Sequence, residues 1–113
     1  MTKLLTLAAA GVLAVPAFAS AQDLSLNTRR MLSYGTTAVV VKACDLPITA
    51  AENNRMMASL AKYADAQTEM TPAQFKEAMQ AAGSMIGMNK DAVCAEAANK
   101  SVADMLAEAE DGE

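Results

Sequence analysis

The chain of 113 residues has no histidine and no tryptophan, and only two tyrosines and two phenylalanines. Without an imidazole, Ser-His-Asp and Cys-His catalysis and the usual zinc sites are excluded. The sequence also has no glycine-rich phosphate loop and no nucleophile elbow. Its thirteen acidic residues offer many carboxylate pairs, but no spacing singles one pair out. We therefore expect a protein that is not an enzyme and that uses no cofactor or metal.

The longest apolar run of the sequence stands at its beginning. Lys3 precedes the apolar residues from Leu4 to Val15, and small residues continue through Ala21. This order is typical of a secretory signal peptide. Two Ala-x-Ala triplets allow cleavage after Ala19 or after Ala21, and we favour the second. The alternative is a retained membrane anchor, which usually needs about 20 apolar residues.

We therefore expect a signal peptide over residues 1–21 and export to the periplasm or the extracellular space. After cleavage we expect no association with a membrane. Residues 22–113 carry eight basic and thirteen acidic residues, a formal charge of −5. Such an acidic surface disfavours nucleic acid and anionic lipid as partners. The length predicts a single domain, frayed at residues 22–27 and 109–113, with a core of marginal size.

The chain has two cysteines, Cys44 and Cys94. In an oxidising compartment we expect them to form a disulfide. That bridge would close a loop of 50 residues, which is worth about 4 kcal/mol in the chain-entropy description. A redox-active pair usually has Cys-x-x-Cys spacing, and metal binding by two distant thiols has still less support.

Two capping boxes begin helices in the middle of the chain. Thr49-Ala50-Ala51-Glu52 predicts a helix from Ala50 to about Glu69. Thr71-Pro72-Ala73-Gln74 predicts a second helix that frays near Gly83 and stops by Gly87. The short turn between these helices predicts an antiparallel hairpin.

The regions on either side of this hairpin are less clear-cut. Residues 36–41 are rich in β-branched side chains and could be a strand, but the helical period of the segment favours a helix capped by Asn27 or Thr28. Asn89 is expected to cap a last helix from Lys90 to Glu110, with a restart at Ser101 as the alternative. We therefore predict an all-α, four-helix domain in which one disulfide joins the first and last helices.

Methionine is abundant for a chain this short, with eight residues after position 21. Three interpretations are open: methionines that fill an alanine-rich core, an adaptable surface that binds proteins, or thioether ligands for Cu(I), for which Met85 and Met88 are suitably spaced. The candidate binding surface consists of Met56, Met57, Met79, Met85 and Met88.

The layout of residues 28–110 resembles that of the small exported acid-stress chaperones of the HdeA type. The shared features are the length, one disulfide between distant helices, and the amphipathic helix after Cys94. No sequence motif is involved, and residues 42–47 lack the aromatic-rich segment of that family. The resemblance implies a homodimer that opens at low pH and exposes apolar surface to client proteins.

The expected function is thus that of a small exported binding protein with a protein partner or client, similar to a stress chaperone. The alternatives are an interaction or inhibitor module of the cell envelope with one specific partner, and a methionine-based Cu(I) carrier. Because the chain lacks histidine, its carboxylates are the side chains that titrate in mild acid. We expect the fold to loosen below about pH 4.

Overall fold

The computed structural model describes residues 23–112, and within this range it contains five α-helices and no strand. The helices are α1 (Leu26–Ala43), α2 (Ala50–Ala66), α3 (Pro72–Met88), α4 (Lys90–Ala98) and α5 (Val102–Glu110). The all-α prediction is confirmed, whereas the number of helices is five and not four. The predicted signal peptide lies outside the described residues. None of the helices in residues 23–112 combines the length and the apolar character needed to cross a membrane.

Helix α1 is the centre of the molecule. It includes residues 36–41, so the helical interpretation of that β-branched segment is confirmed. Thr37 is buried and donates its hydroxyl to the carbonyl oxygen of Ser33 at 2.8 Å. Burial of Val40 and Val41 against other helices outweighs their weak preference for a strand.

The other helices pack around α1. Helices α2, α3 and α5 make the main contacts with it, and α4 makes a smaller one. Helices α2 and α3 each pack against α1 much more than against each other, so they do not form the predicted antiparallel hairpin. The turn between them is short, but each helix buries its apolar side on α1.

Local capping signals placed several helix ends correctly. Both capping boxes are formed, with Thr49 and Glu52 at the start of α2 and Thr71 and Gln74 at the start of α3. Helix α1 begins one residue after Ser25, whose hydroxyl accepts from the backbone N–H of Thr28 at 3.2 Å. The predicted caps Asn27 and Thr28 are wrong, because both residues lie within the first turn of α1.

Other helix ends differ from the prediction. Helix α2 ends at Ala66, and α3 continues through Gly83, where we expected fraying, and past the expected stop at Gly87 to Met88. Asn89 follows it and precedes α4, but its side chain makes no capping hydrogen bond to α4.

The chain bends between α4 and α5, where we predicted one helix from Lys90 to Glu110. The N–H groups of Asn99 and Lys100 each donate to a carbonyl three residues back, which closes α4. Ser101 then caps α5 by accepting from the N–H of Asp104 at 3.0 Å. The alternative prediction, a restart of the helix at Ser101, is therefore confirmed. Helix α5 extends to Glu110, into the segment expected to be frayed.

The predicted disulfide between Cys44 and Cys94 is present, with a Cα–Cα distance of 5.4 Å. Cys44 caps the C-terminus of α1, and the following Asp45 has a left-handed backbone with φ of 52°. The N–H of Leu46 donates to Val41 O at 3.0 Å and completes a Schellman motif. Cys94 lies in α4, so the bridge joins α1 to α4 and not to the last helix.

Candidate functional site

The five methionines of the predicted binding surface do not form one surface. Met56 is buried in the core, and Met79 is half-buried against it. Met57 on α2 is 50% exposed, and Met85 and Met88 on α3 are 38% and 77% exposed. The last two are three residues apart and therefore share one side of α3. Only this pair is both neighbouring and exposed.

The remaining methionines support the interpretation of methionine as core filling. Met31 and Met70 are buried in the main core, and Met105 packs against a smaller cluster beside the disulfide. The main core also contains Tyr34, Tyr63 and Leu106. A flexible thioether fills irregular space where aromatic side chains are scarce.

One concentration of polar contacts, which we call the Glu110 cluster, consists of Arg30, Tyr34, Tyr63 and Glu110. The hydroxyl of Tyr34 donates to Glu110 Oε1 at 2.6 Å, and the hydroxyl of Tyr63 donates to Oε2. Arg30 Nε donates to the backbone oxygen of Glu110 at 2.6 Å and lies 3.8 Å from Oε2. The tyrosine rings stack with centroids 6.0 Å apart. This cluster ties the end of α5 to α1 and α2.

The hydrogen bonds from Tyr34 and Tyr63 lower the pKa of Glu110, because they stabilise the charged carboxylate. Arg30 on α1 and Lys62 on α2 add a favourable charge interaction and lower this pKa further. The same contacts raise the pKa of Tyr63, and burial is the first cause of the raised pKa of Tyr34. Glu110 is therefore ionised at neutral pH and serves as the acceptor for two buried hydroxyls.

A second set of contacts, the Glu69 cluster, consists of Ser25, Thr28 and Glu69. Glu69 lies in the connection between α2 and α3. It accepts the backbone N–H of Ser25 at 2.9 Å and the hydroxyl of Thr28, which is fully buried. A carboxylate at this position also interacts favourably with the dipole of α1. These hydrogen bonds, that of Thr28 first, lower the pKa of Glu69.

The two clusters hold the same part of α1. Their α1 residues and its cap, from Ser25 to Tyr34, belong to the N-terminal half of that helix, whereas Cys44 lies at its C-terminal end. Each carboxylate also follows or precedes a buried apolar residue: Met70 comes after Glu69, and Ala109 comes before Glu110. One end of α1 is thus held by ionised carboxylates and the other by a covalent bond.

Sequence reasoning missed both clusters. The chain has thirteen acidic residues, and the spacing of Glu69 and Glu110 does not distinguish them from the other eleven. The two tyrosines were one signal in the sequence that could have indicated the Glu110 cluster. A buried tyrosine hydroxyl needs a hydrogen-bond partner, so two tyrosines in the core require an acceptor there.

The described residues contain no group of three or more cysteine or acidic side chains arranged to hold a metal ion. Comparisons with protein-family models, with curated proteins and with solved structures gave no match for this chain.

Proposed function

We propose that this protein is a small exported binding protein that loosens in acid and then binds unfolded proteins through newly exposed apolar surface. The observation that carries the proposal is the pair of ionised carboxylates, Glu69 and Glu110, which hold the N-terminal half of α1. The disulfide at the other end of α1 keeps the loosened chain compact and ready to refold. This arrangement suits the periplasm or the extracellular space, where disulfides persist.

Acid acts on these contacts in one direction. A carboxyl whose pKa is lowered by folding stabilises the folded state above its unfolded pKa of about 4.3. This stability is lost as the pH falls through the lower pKa of the folded state. Protonated Glu69 and Glu110 are weaker acceptors for Thr28, Tyr34 and Tyr63, so the contacts with α1 weaken together.

Charge repulsion adds to this effect. Residues 22–113 have thirteen acidic and eight basic residues, so full protonation of the carboxyls leaves only the positive charges. Mutual repulsion then favours an expanded chain. Because Met70 and Ala109 adjoin the two carboxylates, release of the clusters exposes apolar residues of the main core first.

An aggregation assay tests this function. An acid-denatured client protein is mixed with the oxidised protein at pH 3 and at pH 7, and light scattering records aggregation. We expect suppression at pH 3 and none at pH 7. Equal suppression at both pH values, or none at either, would contradict the proposal.

A matched pair of variants connects the result to the clusters. The double variant Glu69→Gln/Glu110→Gln has no charge at these positions, and we expect it to suppress aggregation at a higher pH than the unmodified protein does. The control is Glu77→Gln/Glu96→Gln, which removes two exposed carboxylates outside both clusters. A similar shift in both double variants would show that overall charge and not the clusters controls binding.

A further inference from the structure

A groove of about 460 Å³ lies between α1, α4 and α5, and none of its lining residues belongs to the two carboxylate clusters. Its lining from α1 extends from Arg29 to Val40, which corresponds to about 16 Å along the helix axis at about 1.5 Å per residue. The opposite side is formed by α4 and α5. The apolar part of the lining consists of Leu32, Val40, Val93, Ala97, Met105 and Ala109.

Arg29 marks one end of the groove. Gly112, which follows α5, lies beside it: a Cβ placed on Gly112 would be 3.6 Å from the Arg29 Cβ. Arg29 Nε is buried and has no hydrogen-bond partner among residues 23–112. In that range the ion pairs use Arg30 and Lys100 as their cations, so Arg29 has no carboxylate partner. A buried N–H without an acceptor is unfavourable, and Arg29 is among the residues that line the groove.

The other charges of the groove are placed differently. Lys100 and Glu108 pair with each other at 3.0 Å, and Glu96 is exposed on α4. Arg29 is therefore the cation of the lining that has no ion pair within residues 23–112, and its planar guanidinium can bind a carboxylate through two parallel hydrogen bonds. The complementary ligand is apolar along most of its length and has an anionic group at one end.

From this geometry we propose that the groove binds the C-terminal end of an extended polypeptide, with its terminal carboxylate on Arg29. A length of about 16 Å accommodates about five extended residues at about 3.3 Å each. Apolar side chains of the peptide contact the apolar lining, and its backbone groups pair with polar residues of the lining, among which are Thr36, Glu96 and Lys100. These polar groups favour a peptide over a simple alkyl chain. The proposal concerns the folded protein at neutral pH and is independent of the loosening in acid.

Fluorescence anisotropy at pH 7 tests the proposal with two labelled pentapeptides of leucine and alanine. One has a free C-terminal carboxylate, and the other has a C-terminal amide. We expect the amide to bind at least about tenfold more weakly, as for the loss of a charge-assisted hydrogen bond. This comparison uses the unmodified protein, so it does not depend on the folding of a variant. Equal binding of the two peptides, or binding of neither, would overturn the proposal.

Variants then locate the carboxylate. Arg29→Gln should abolish the preference for the free carboxylate, whereas Arg55→Gln, which removes an exposed arginine of α2 outside the groove, should retain it. A preference that persists in Arg29→Gln would place the carboxylate elsewhere. Decanoate serves as a competitor, and tight binding of decanoate without binding of the peptide would make an alkyl carboxylate the occupant. Peptide binding that weakens as the protein self-associates would instead assign the groove to a second copy of this chain.

Discussion

Glu69 and Glu110 connect parts of the chain that are distant in sequence. Glu69 binds residues 41 and 44 positions earlier, and Glu110 binds residues 47, 76 and 80 positions earlier. Their partners are the hydroxyls of Thr28, Tyr34 and Tyr63, the backbone N–H of Ser25 and the Nε of Arg30. At the scale of single residues, these two glutamates therefore join α1 to the α2–α3 connection, to α2 and to α5.

Replacement of Glu110 by glutamine removes the charge and keeps the shape. At pH 7 we expect the free energy of unfolding to fall by about 1 kcal/mol, because two buried tyrosine hydroxyls lose a charged acceptor. The value is modest since the Glu110 side chain is 41% exposed and water screens it. Because the pKa of Glu110 is lowered by folding, the variant should also lose less stability than the unmodified protein as the pH falls below about 4.3. Urea unfolding at a series of pH values measures both effects.

Glu108→Gln is the neighbouring control. Glu108 pairs with Lys100 on the surface, and such pairs contribute little to stability. The free energy of unfolding of the Glu108→Gln variant should therefore differ from that of the unmodified protein by less than about 0.5 kcal/mol. Losses of the same size in both variants would contradict the special role of Glu110.

Sequence reasoning at this scale identified the cysteines but not the carboxylates. Two cysteines allow one pairing within the chain, whereas any of thirteen acidic residues could face the core tyrosines. Which methionines are buried was equally open, since Met56 and Met57 are adjacent and only the first lies in the core. That choice depends on how α2 is rotated about its own axis where it packs on α1.

At the scale of helices, the close approach of α1 and α3 centres on Gly35. A Cβ placed there would lie 2.7 Å from both Met79 Sδ and Phe75 Cζ. Gly35 thus allows two side chains of α3 to lie directly on the backbone of α1.

The pair Gly35→Ala and Gly87→Ala separates this contact from helix propensity. Alanine gains about 1 kcal/mol over glycine inside a helix, and Gly87 has open space around it, so Gly87→Ala should be stabilising. At Gly35 the ends of the Met79 and Phe75 side chains must shift, which offsets part or all of that gain, so Gly35→Ala should be less stable than Gly87→Ala. Thermal or urea unfolding gives the difference, and equal stability of the two variants would show that α3 does not pack there.

The break between α4 and α5 depends on the Ser101 cap. Ser101→Ala should lower the free energy of unfolding by about 1 kcal/mol, because the N–H of Asp104 loses its acceptor. Ser84→Ala, at an exposed interior position of α3, should be neutral or slightly stabilising. Urea unfolding that shows no loss for Ser101→Ala would favour one continuous helix after Lys90.

Capping boxes predicted the starts of α2 and α3 because their signal lies within four residues. The break at Asn99–Ser101 was harder to predict, because the small and apolar residues on both sides keep one helical period. The hairpin prediction failed for a different reason. A short turn fixes which helices are joined, but the partner on which each buries its apolar side is decided by the whole core.

At the scale of the whole molecule, the disulfide holds α4, the helix with the smaller contact with α1. The double variant Cys44→Ser/Cys94→Ser should lose about 2–4 kcal/mol of unfolding free energy. The reason is that the unfolded chain is no longer closed into a loop of 50 residues by the disulfide. Urea unfolding of the oxidised protein and the variant measures this loss. A loss below about 1 kcal/mol would contradict the role of the bridge as the main constraint on this part of the fold.

The central claim is that acid releases the N-terminal half of α1 while the disulfide holds its other end. Tyrosine circular dichroism in the near ultraviolet reports on this directly, because the chain has no tryptophan and both of its tyrosines belong to the Glu110 cluster. As the pH falls from 7 to 2, the tyrosine signal should be lost below about pH 4.3 while helical far-ultraviolet signal remains and binding of a hydrophobic dye rises. A near-ultraviolet spectrum and dye binding that stay unchanged down to pH 2 would contradict it.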